Sequence, residues 1–155
     1  MSVHVYDAHV RFSDVDIYGH VNNVKYFEYY QEARIAFLRS LVPDDDDWIV
    51  SPEGSTERQV VARINVDYRR PILFRPEPYL VETRVTRVGT SSYDLSCRIV
   101  DAAGDQGTVY SGAEVRLVAF DIGTQRSRRL TDVERERLVR VLEPATDRVS
   151  IPTAD

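Results

Sequence analysis

Two aspartates lie in a short polar segment that runs directly into a stretch of helical period. The segment reads DVDIYGHVNN and spans residues 14–23. The N-terminus of a helix offers unpaired backbone N–H groups and a partial positive charge. Such groups polarise a carbonyl and stabilise the oxyanion that forms when the carbonyl is attacked. A carboxylate beside them stays ionised and acts as a nucleophile or as a base for water.

The same residue types also have a purely structural explanation. Asp, Asn and Gly are frequent before helices because they cap helix ends and form turns. Residue types and spacing do not separate this explanation from the chemical one. If the segment does chemistry, a thioester suits it, because a thioester is an activated carbonyl with a good leaving group and needs only a single carboxylate.

Periodicity predicts one long helix directly after this segment. The helix runs from Asn23 to Leu41, about nineteen residues, and Pro43 stops it. Its apolar residues recur at helical spacing, whereas charged residues fall off the stripe. The stripe consists of Tyr26, Tyr30, Ala33, Phe37 and Leu41.

Alternation of apolar and polar residues predicts five strands. One covers residues 6–12, and four follow the helix at residues 60–68, 79–85, 93–99 and 109–119. Short links between most of them favour an antiparallel meander. A capping box, Thr131-x-x-Glu134, begins a last helix that ends near Leu142. The pattern indicates an α+β fold: a five-stranded antiparallel sheet wrapped around one long central helix, plus a short C-terminal helix, in a single domain over residues 1–155.

Composition narrows the classes of function. The chain has 155 residues and a net charge of −5, which argues against nucleic acid as a partner. Cys97 is the single cysteine, so no internal disulfide forms, which fits the cytosol. No apolar run approaches the roughly 18 residues of a membrane span, and the N-terminus lacks the apolar stretch of a signal peptide. We therefore expect a cytoplasmic protein without a membrane span.

The segment and the helix together resemble a known enzyme family. The pattern is Asp16-x-x-Gly19-His20-Val-Asn22-Asn23-x-x-Tyr26, followed by Glu32-Ala-Arg34. It resembles the hot-dog-fold thioesterases, and more narrowly the 4-hydroxybenzoyl-CoA thioesterase family with its relatives acting on fatty acyl-CoA. The order of elements over residues 3–121 fits this family, and so does the segment VDYRRP at residues 66–71.

The resemblance implies an acyl-CoA thioesterase that releases a free acid and CoA. Asp16 matches the family's catalytic aspartate, either nucleophile or general base. Asn23 and Val24 match the start of the central helix, where backbone amides face the thioester oxygen. The loop positions expected at the substrate are Gly19, which permits a tight approach, and His20 and Asn22, which turn and cap hydrogen bonds explain equally well.

Two features bear on the substrate and on the catalytic carboxylate. The family member named for the aromatic substrate has an aromatic residue at the position of Asn23, so that substrate is not implied and fatty acyl-CoA is expected. Another branch of the fold places its carboxylate inside the helix. Glu28 and Glu32 are therefore the rival candidates, although solvated or interface positions explain both.

Coenzyme A carries several phosphate charges, which a net negative surface repels unless a local basic patch is present. Residues 63–98 hold seven arginines against four acidic residues. Arginine suits phosphate because its donors form a bidentate fork. Further arginines in and after this region are Arg75, Arg84, Arg126, Arg128 and Arg129. The candidates for CoA binding are Arg69, Arg70 and Arg87, with hydroxyl donors from Thr90 and Ser91.

Two other functions and the assembly complete the expectations. A hydratase on the same fold would pair an aspartate with a histidine, here Asp16 with His20, and a non-catalytic module would only bind acyl-CoA. No cofactor is implied beyond the CoA of the substrate, no metal site is indicated, and Cys97 reads as a core residue. Exposed sheet edges and the family together imply a homo-oligomer, a dimer or a dimer of dimers, with sites at the subunit boundary.

Overall fold

A computed structural model describes residues 3–42, 54–102 and 107–143. Among these residues lie six strands, two helices and a short 3₁₀ turn at Phe12–Asp14. The strands are β1 (His4–Ala8), β2 (Glu57–Tyr68), β3 (Tyr79–Val88), β4 (Ser92–Val100), β5 (Val109–Asp121) and β6 (Arg126–Ser127), and the helices are α1 (Lys25–Ser40) and α2 (Asp132–Arg140).

The strands form one antiparallel sheet in the order β1-β3-β4-β5-β2, and β6 pairs with the end of β5. The predicted α+β hot-dog architecture is confirmed, but the sheet has six strands rather than five. The sixth strand is only two polar residues long, so it carries no alternation that a sequence pattern reveals. It extends the line of β4 along β5 and leads into α2.

The long helix lies against the sheet through the predicted stripe. Tyr26, Tyr30, Ala33 and Phe37 are all buried. The Tyr30 hydroxyl donates to Ser111 Oγ of β5 at 2.6 Å, which satisfies a buried polar group in the core. The helix begins two residues later than predicted and has 16 residues. Pro43, the predicted stop, lies outside the described residues.

The first strand ends earlier than its alternation predicts. β1 stops at Ala8, and Phe12 is 84% exposed instead of facing the core. The chain turns there because Asp14 closes a short helical turn: its Oδ2 accepts from the Arg11 N–H at 3.0 Å. This turn directs the following residues toward the start of α1.

Strand β2 lies at an edge of the sheet and is mostly exposed. It pairs only with β5 among the described residues. Val60, Val61 and Tyr68 are 39%, 42% and 47% exposed, while Ile64 and Val66 are half-buried against the core. An edge strand with exposed apolar side chains is open to pairing with a further strand.

Three further expectations can be compared with the structure. The capping box is present: Thr131 Oγ1 accepts from the Glu134 N–H at 3.2 Å, and Glu134 Oε2 accepts from the Thr131 N–H at 2.8 Å. Cys97 is a core residue, 3% exposed. Within the three described ranges, no helix combines the length and apolar character that crossing a membrane requires.

Candidate active site

The loop before α1 folds into a tight turn that holds Asp16 at its start. Val15 and Val21 form an antiparallel bridge across the turn. The Asp16 N–H donates to the His20 carbonyl at 3.0 Å, and the Gly19 N–H donates to the Asp16 carbonyl at 3.1 Å. Gly19 has a φ of +84°, a left-handed conformation that side chains disfavour. The glycine therefore allows the turn to close.

The Asp16 carboxylate lies half-buried at the mouth of this turn. Its Oδ1 accepts from the Tyr18 N–H at 2.9 Å. Within the described part of the chain, no arginine, lysine or histidine forms an ion pair with it. The carboxylate is thus oriented by one backbone bond and is otherwise available to water or to a ligand.

Asp14, two residues earlier, has the opposite environment. Its side chain is buried, and Oδ2 accepts from the Tyr29 hydroxyl at 2.7 Å and from the Arg11 N–H at 3.0 Å. Arg11 Nη2 also lies 3.1 Å from Oδ1. Burial raises the pKa of Asp14, but the hydrogen bonds from Tyr29 and Arg11 outweigh it, so the pKa lies below its usual range. These contacts give Asp14 a structural role.

Asn22 caps the start of α1 with both of its oxygens. Its Oδ1 accepts from the Val24 N–H at 2.9 Å, and its carbonyl accepts from the Lys25 N–H at 2.9 Å. The Tyr68 hydroxyl donates to the Asn23 carbonyl at 2.9 Å. Among the described residues, the Asn23 N–H makes no hydrogen bond. One of the two predicted amides, that of Val24, is therefore engaged, and that of Asn23 is available.

Apolar side chains surround this helix start without being covered. Ile17, Tyr18 and Val24 are 94%, 78% and 63% exposed. Phe12 contacts Phe74 edge to face, with ring centroids 6.1 Å apart. Leu73 and Phe74 belong to the connection after β2, and the Val21 N–H ties the loop to this connection through the Ile72 carbonyl at 2.8 Å. Exposed apolar side chains therefore lie in the loop after Asp16, at the helix start and on the connection tied to the loop.

His20 lies in the same turn as Asp16, but the two side chains are not paired. The His20 ring stacks on Tyr18 at a centroid distance of 6.1 Å, and its Nδ1 is 3.4 Å from the Val21 carbonyl. No hydrogen bond joins it to the Asp16 carboxylate within the described residues. In the part of the chain that the structure describes, Asp16 and His20 therefore form no hydrogen-bonded pair.

The rival carboxylates on α1 point to solvent. Glu28 is paired with Arg11 at 2.9 Å and with Lys25 at 3.1 Å, and its side chain is 47% exposed. Glu32 is exposed one turn further along the helix. Within one chain, neither lies in the turn that holds Asp16.

The candidate CoA-binding residues separate into two groups. Arg69 and Arg70 are exposed directly after Tyr68, and both of their backbone N–H groups donate to the Tyr110 carbonyl, at 2.9 and 3.1 Å. They therefore lie beside the start of α1. Their side chains form no ion pair within the described part of the chain.

The second group lies at the far end of the sheet. Thr90 and Ser91 form the turn after β3, whereas Tyr79 at the beginning of β3 contacts Leu73 near the loop. The ten residues of β3 span roughly 30 Å. Arg87 is also committed, since its Nε donates to Asp94 Oδ2 at 2.8 Å. Within one chain, the structure does not bring these three residues together with Asp16.

Most of the other arginines are already paired. Arg84 contacts Glu82 at 3.3 Å and Glu143 at 3.1 Å, and Arg128 contacts Glu134 at 2.9 Å. Arg75 stacks over the Tyr79 ring with its guanidinium carbon 3.7 Å from the centroid. Arg126 and Arg129 are exposed before α2. The described residues contain no group of three side chains able to hold a metal ion.

Comparison with known proteins identifies the family. The profile of the thioesterase-like superfamily matches residues 10–152. The chain belongs to this superfamily. The resemblance seen in the sequence is therefore confirmed, and with it the predicted enzyme class, a hot-dog acyl-CoA thioesterase.

The relatives of this thioesterase include characterised and structurally solved proteins. This chain is 29% identical over 134 residues to the long-chain acyl-CoA thioesterase FadM of Escherichia coli K12. The matched residues cover 86% of this chain and 96% of FadM. It is 34% identical to PA2801, a putative thioesterase from Pseudomonas aeruginosa, with a TM-score of 0.69 over 83% of this chain and 92% of that one. A Thermus thermophilus thioesterase, solved with coenzyme A and Zn, is 31% identical with a TM-score of 0.70 over 90% and 93%.

Sequence reasoning left two contacts of this thioesterase unassigned. The hydrogen bond from the Tyr29 hydroxyl to Asp14 was not predicted, because Tyr29 lies off the predicted apolar stripe. Tyr68 was part of a family-like segment, but no role followed from it. A buried tyrosine needs a partner for its hydroxyl, which is the signal that points to the contact of Tyr29; the exposed Tyr68 gives no such signal.

Proposed function

We propose that this thioesterase hydrolyses fatty acyl-CoA to a free fatty acid and CoA, with Asp16 as the reacting carboxylate. The observation that carries the proposal is that two groups in one short segment are both available. Asp16 lies in a rigid turn with no cationic partner among the described residues, and this turn leads into a helix start whose Asn23 N–H is unengaged. An anion beside a donor of this kind is the arrangement that acyl transfer needs.

In the proposed reaction, the Asn23 N–H donates to the thioester oxygen and stabilises the negative charge that develops there. As a general base, Asp16 takes a proton from water while the water oxygen bonds to the carbonyl carbon. The C–S bond then breaks, and the thiolate of CoA receives the proton. As a nucleophile, Asp16 instead bonds to the carbonyl carbon, the C–S bond breaks, and an anhydride and the thiolate of CoA form. Water then cleaves the anhydride in a second step, which regenerates Asp16, and a proton released from that water goes to the thiolate.

Val24 has a secondary place in this proposal. Its N–H is held by Asn22 Oδ1 at 2.9 Å, so it reaches a substrate oxygen only if the Asn22 side chain rotates away. Asn22 therefore serves chiefly as a cap that fixes the direction of the neighbouring amide. Gly19 and His20 shape the turn that carries Asp16.

The apolar surface beside Asp16 supports a fatty acyl group. Exposed Ile17, Tyr18 and Phe74 offer contacts for a hydrocarbon chain and would be covered when it binds. The relative FadM is a long-chain acyl-CoA thioesterase, which supports a fatty acyl substrate for this chain as well. Arg69 and Arg70 lie beside the helix start, where they meet the CoA phosphates.

We further propose that the working unit is a homo-oligomer, a dimer or a dimer of dimers. Strand β2 is an exposed edge with apolar side chains, which a second copy of the chain would pair with and cover. Arg87, Thr90 and Ser91 lie too far from Asp16 in their own chain. In an oligomer they would reach CoA bound at another chain's loop.

Release of free thiol from acyl-CoAs of short, long and aromatic chains tests the proposal. Wild type should release thiol, with a preference for fatty chains, and Asp16→Asn should lower turnover by about 10²–10⁴-fold. Asp7→Asn is the matched control, because Asp7 is exposed on β1 and away from the loop.

A fully active Asp16→Asn protein would move the reaction to Glu28 or Glu32. Enoyl-CoA consumed without free thiol would indicate a hydratase, and ligand-dependent stabilisation without product would indicate a binding module.

A further inference from the structure

We infer that Tyr68 is a positioning residue that holds the helix start in the geometry the reaction needs, a role that rests on the proposed function. Its hydroxyl, at the end of β2, donates to the Asn23 carbonyl at 2.9 Å across 45 residues of sequence. Tyr68 does not touch the reacting atoms in this arrangement. It acts on them through the backbone of Asn23.

The hydrogen bond from Tyr68 closes a clamp on one peptide group. The carbonyl of Asn23 and the N–H of Val24 belong to the same planar unit. Tyr68 holds the carbonyl end at 2.9 Å, and Asn22 Oδ1 holds the N–H end at 2.9 Å. The peptide group between Asn23 and Val24 therefore cannot rotate without breaking one of these two hydrogen bonds.

The clamp determines where the available donor points. The Asn23 N–H belongs to the preceding peptide group, whose carbonyl, that of Asn22, accepts from the Lys25 N–H at 2.9 Å. With one peptide held by the helix and the next held by the clamp, the direction of the Asn23 N–H is fixed. A donor that is already aligned needs no reorganisation when charge develops on the substrate oxygen.

The Tyr68 side chain is itself well held. Its ring meets the buried Tyr26 ring of α1 edge to face, with centroids 4.8 Å apart at 70°. The adjacent Asp67 carbonyl accepts from Ser111 Oγ at 2.7 Å, which anchors the end of β2 to β5. Burial raises the pKa of the Tyr68 phenol, so the hydroxyl stays protonated and able to donate at neutral pH.

Tyr68→Phe tests the inference because it removes the hydroxyl and keeps the ring on Tyr26. Tyr110→Phe is the matched control: its hydroxyl lies 3.5 Å from Asp101, and its loss leaves the helix start untouched. For each protein we would measure kcat and KM by thiol release, the melting temperature, the solution mass and the amide resonances of Asn23 and Val24.

The expected result is a kcat lowered about threefold to tenfold in Tyr68→Phe, as the net worth of one hydrogen bond implies, with KM within twofold of wild type. The Asn23 and Val24 resonances should shift, the solution mass should stay the same, and Tyr110→Phe should match wild type in kcat. A role in stability alone would lower the melting temperature and leave kcat unchanged.

Two outcomes overturn the inference and are distinct from each other. If wild type releases thiol and Tyr68→Phe keeps kcat within twofold, Tyr68 has no positioning role although the proposed function stands. If wild type releases no thiol from any acyl-CoA, the proposed function fails and the inference fails with it.

Discussion

The two helices of this thioesterase begin in different ways. At α2, the Thr131 side chain accepts from the Glu134 N–H, and the Glu134 side chain accepts from the Thr131 N–H. Glu134 is 7% exposed and also pairs with Arg128 at 2.9 Å. The first turn of α2 is thus closed by reciprocal bonds, and a cation neutralises the capping carboxylate.

At α1 the capping is incomplete. Val24 stands at the N-cap position with helical φ and ψ, and its side chain forms no capping hydrogen bond. Asn22 engages the amides of Val24 and Lys25, and that of Asn23 is left without a partner among the described residues. The nearby Asp16 has no cation beside it there. The comparison teaches that a helix start serves chemistry when a donor and a carboxylate are both left unengaged.

Removing the available N–H donor at the start of α1 should give the largest difference in activity between changes at the two helix starts. Asn23→Pro deletes an N–H at the start of α1 that makes no hydrogen bond among the described residues. Loss of a single oxyanion donor typically lowers kcat by about 10²–10³-fold, so we expect that loss with little change in melting temperature. Asp132→Pro at the first residue of α2 is the control, since proline is tolerated there and activity should persist. Equal kcat in the two variants would exclude Asn23 as the donor.

Loss of a buried carboxylate gives the next effect, this time in stability. Asp14→Asn weakens the hydrogen bonds from Tyr29 and Arg11 at the turn before α1, and we expect a cost of about 1–3 kcal/mol at neutral pH. That corresponds to a melting temperature lower by roughly 3–10 °C for a chain of this size. Thermal unfolding of the variant and of wild type checks the value.

The pH dependence of that effect has a defined sign. The folded pKa of Asp14 lies below its ordinary value, so its charge stabilises the fold above the unfolded pKa near 3.8. This stabilisation disappears as the pH falls through the lower, folded pKa. The difference in melting temperature between wild type and Asp14→Asn should therefore shrink in strong acid. A difference that grows below pH 4 would mean that the carboxyl is not held as an anion.

Both helices have a capping side chain, so the effects of removing each cap on stability and on kcat can be compared. Asn22→Ala and Thr131→Ala should each lower stability by about 0.5–2 kcal/mol, seen in denaturant or thermal unfolding. Only Asn22→Ala should also lower kcat, because it releases one end of the peptide group between Asn23 and Val24. If Thr131→Ala lowers kcat equally, the effect follows stability and the α1 cap has no special role.

Local patterns predicted the fold well because its main elements are long. The stripe from Tyr26 to Phe37 and the alternation in β3 to β5 extend over enough residues for the period to be clear. β6 was missed because two residues have no period. Phe12 was placed in a strand because alternation continued beyond Ala8, where the hydrogen bonds of Asp14 turn the chain.

The site was predictable only in part, for a different reason. The motif led to Asp16 and to the start of α1, since these are neighbours in sequence. Which amide stays available depends on the side-chain direction of Asn22 and on Tyr68, 45 residues beyond Asn23. Thr90 and Ser91 were grouped with Arg69 by composition, but a strand of ten residues separates the two ends. Contacts between distant residues and distances along a strand require the fold itself.

The smallest predicted effect compares the arginines that lie near each helix start. Arg69 and Arg70 lie next to Tyr68 and hence beside α1, whereas Arg126 and Arg129 precede α2. Because exposed charges act on CoA phosphates through screened water, replacing Arg69 and Arg70 together by Gln should raise KM for acyl-CoA by a few-fold and leave kcat unchanged. The difference should fade as salt is added.

Arg126→Gln combined with Arg129→Gln makes the same change in net charge at the other helix and is the control for this effect. A KM raised equally by both pairs would mean that CoA responds to the overall charge of the protein, which at −5 repels it. A KM raised only by the pair beside α1 would place the phosphates at the same helix start as the thioester. In that case both ends of the substrate would contact one short region, which consists of the turn from Asp16 to Val24 and the end of β2 that holds it.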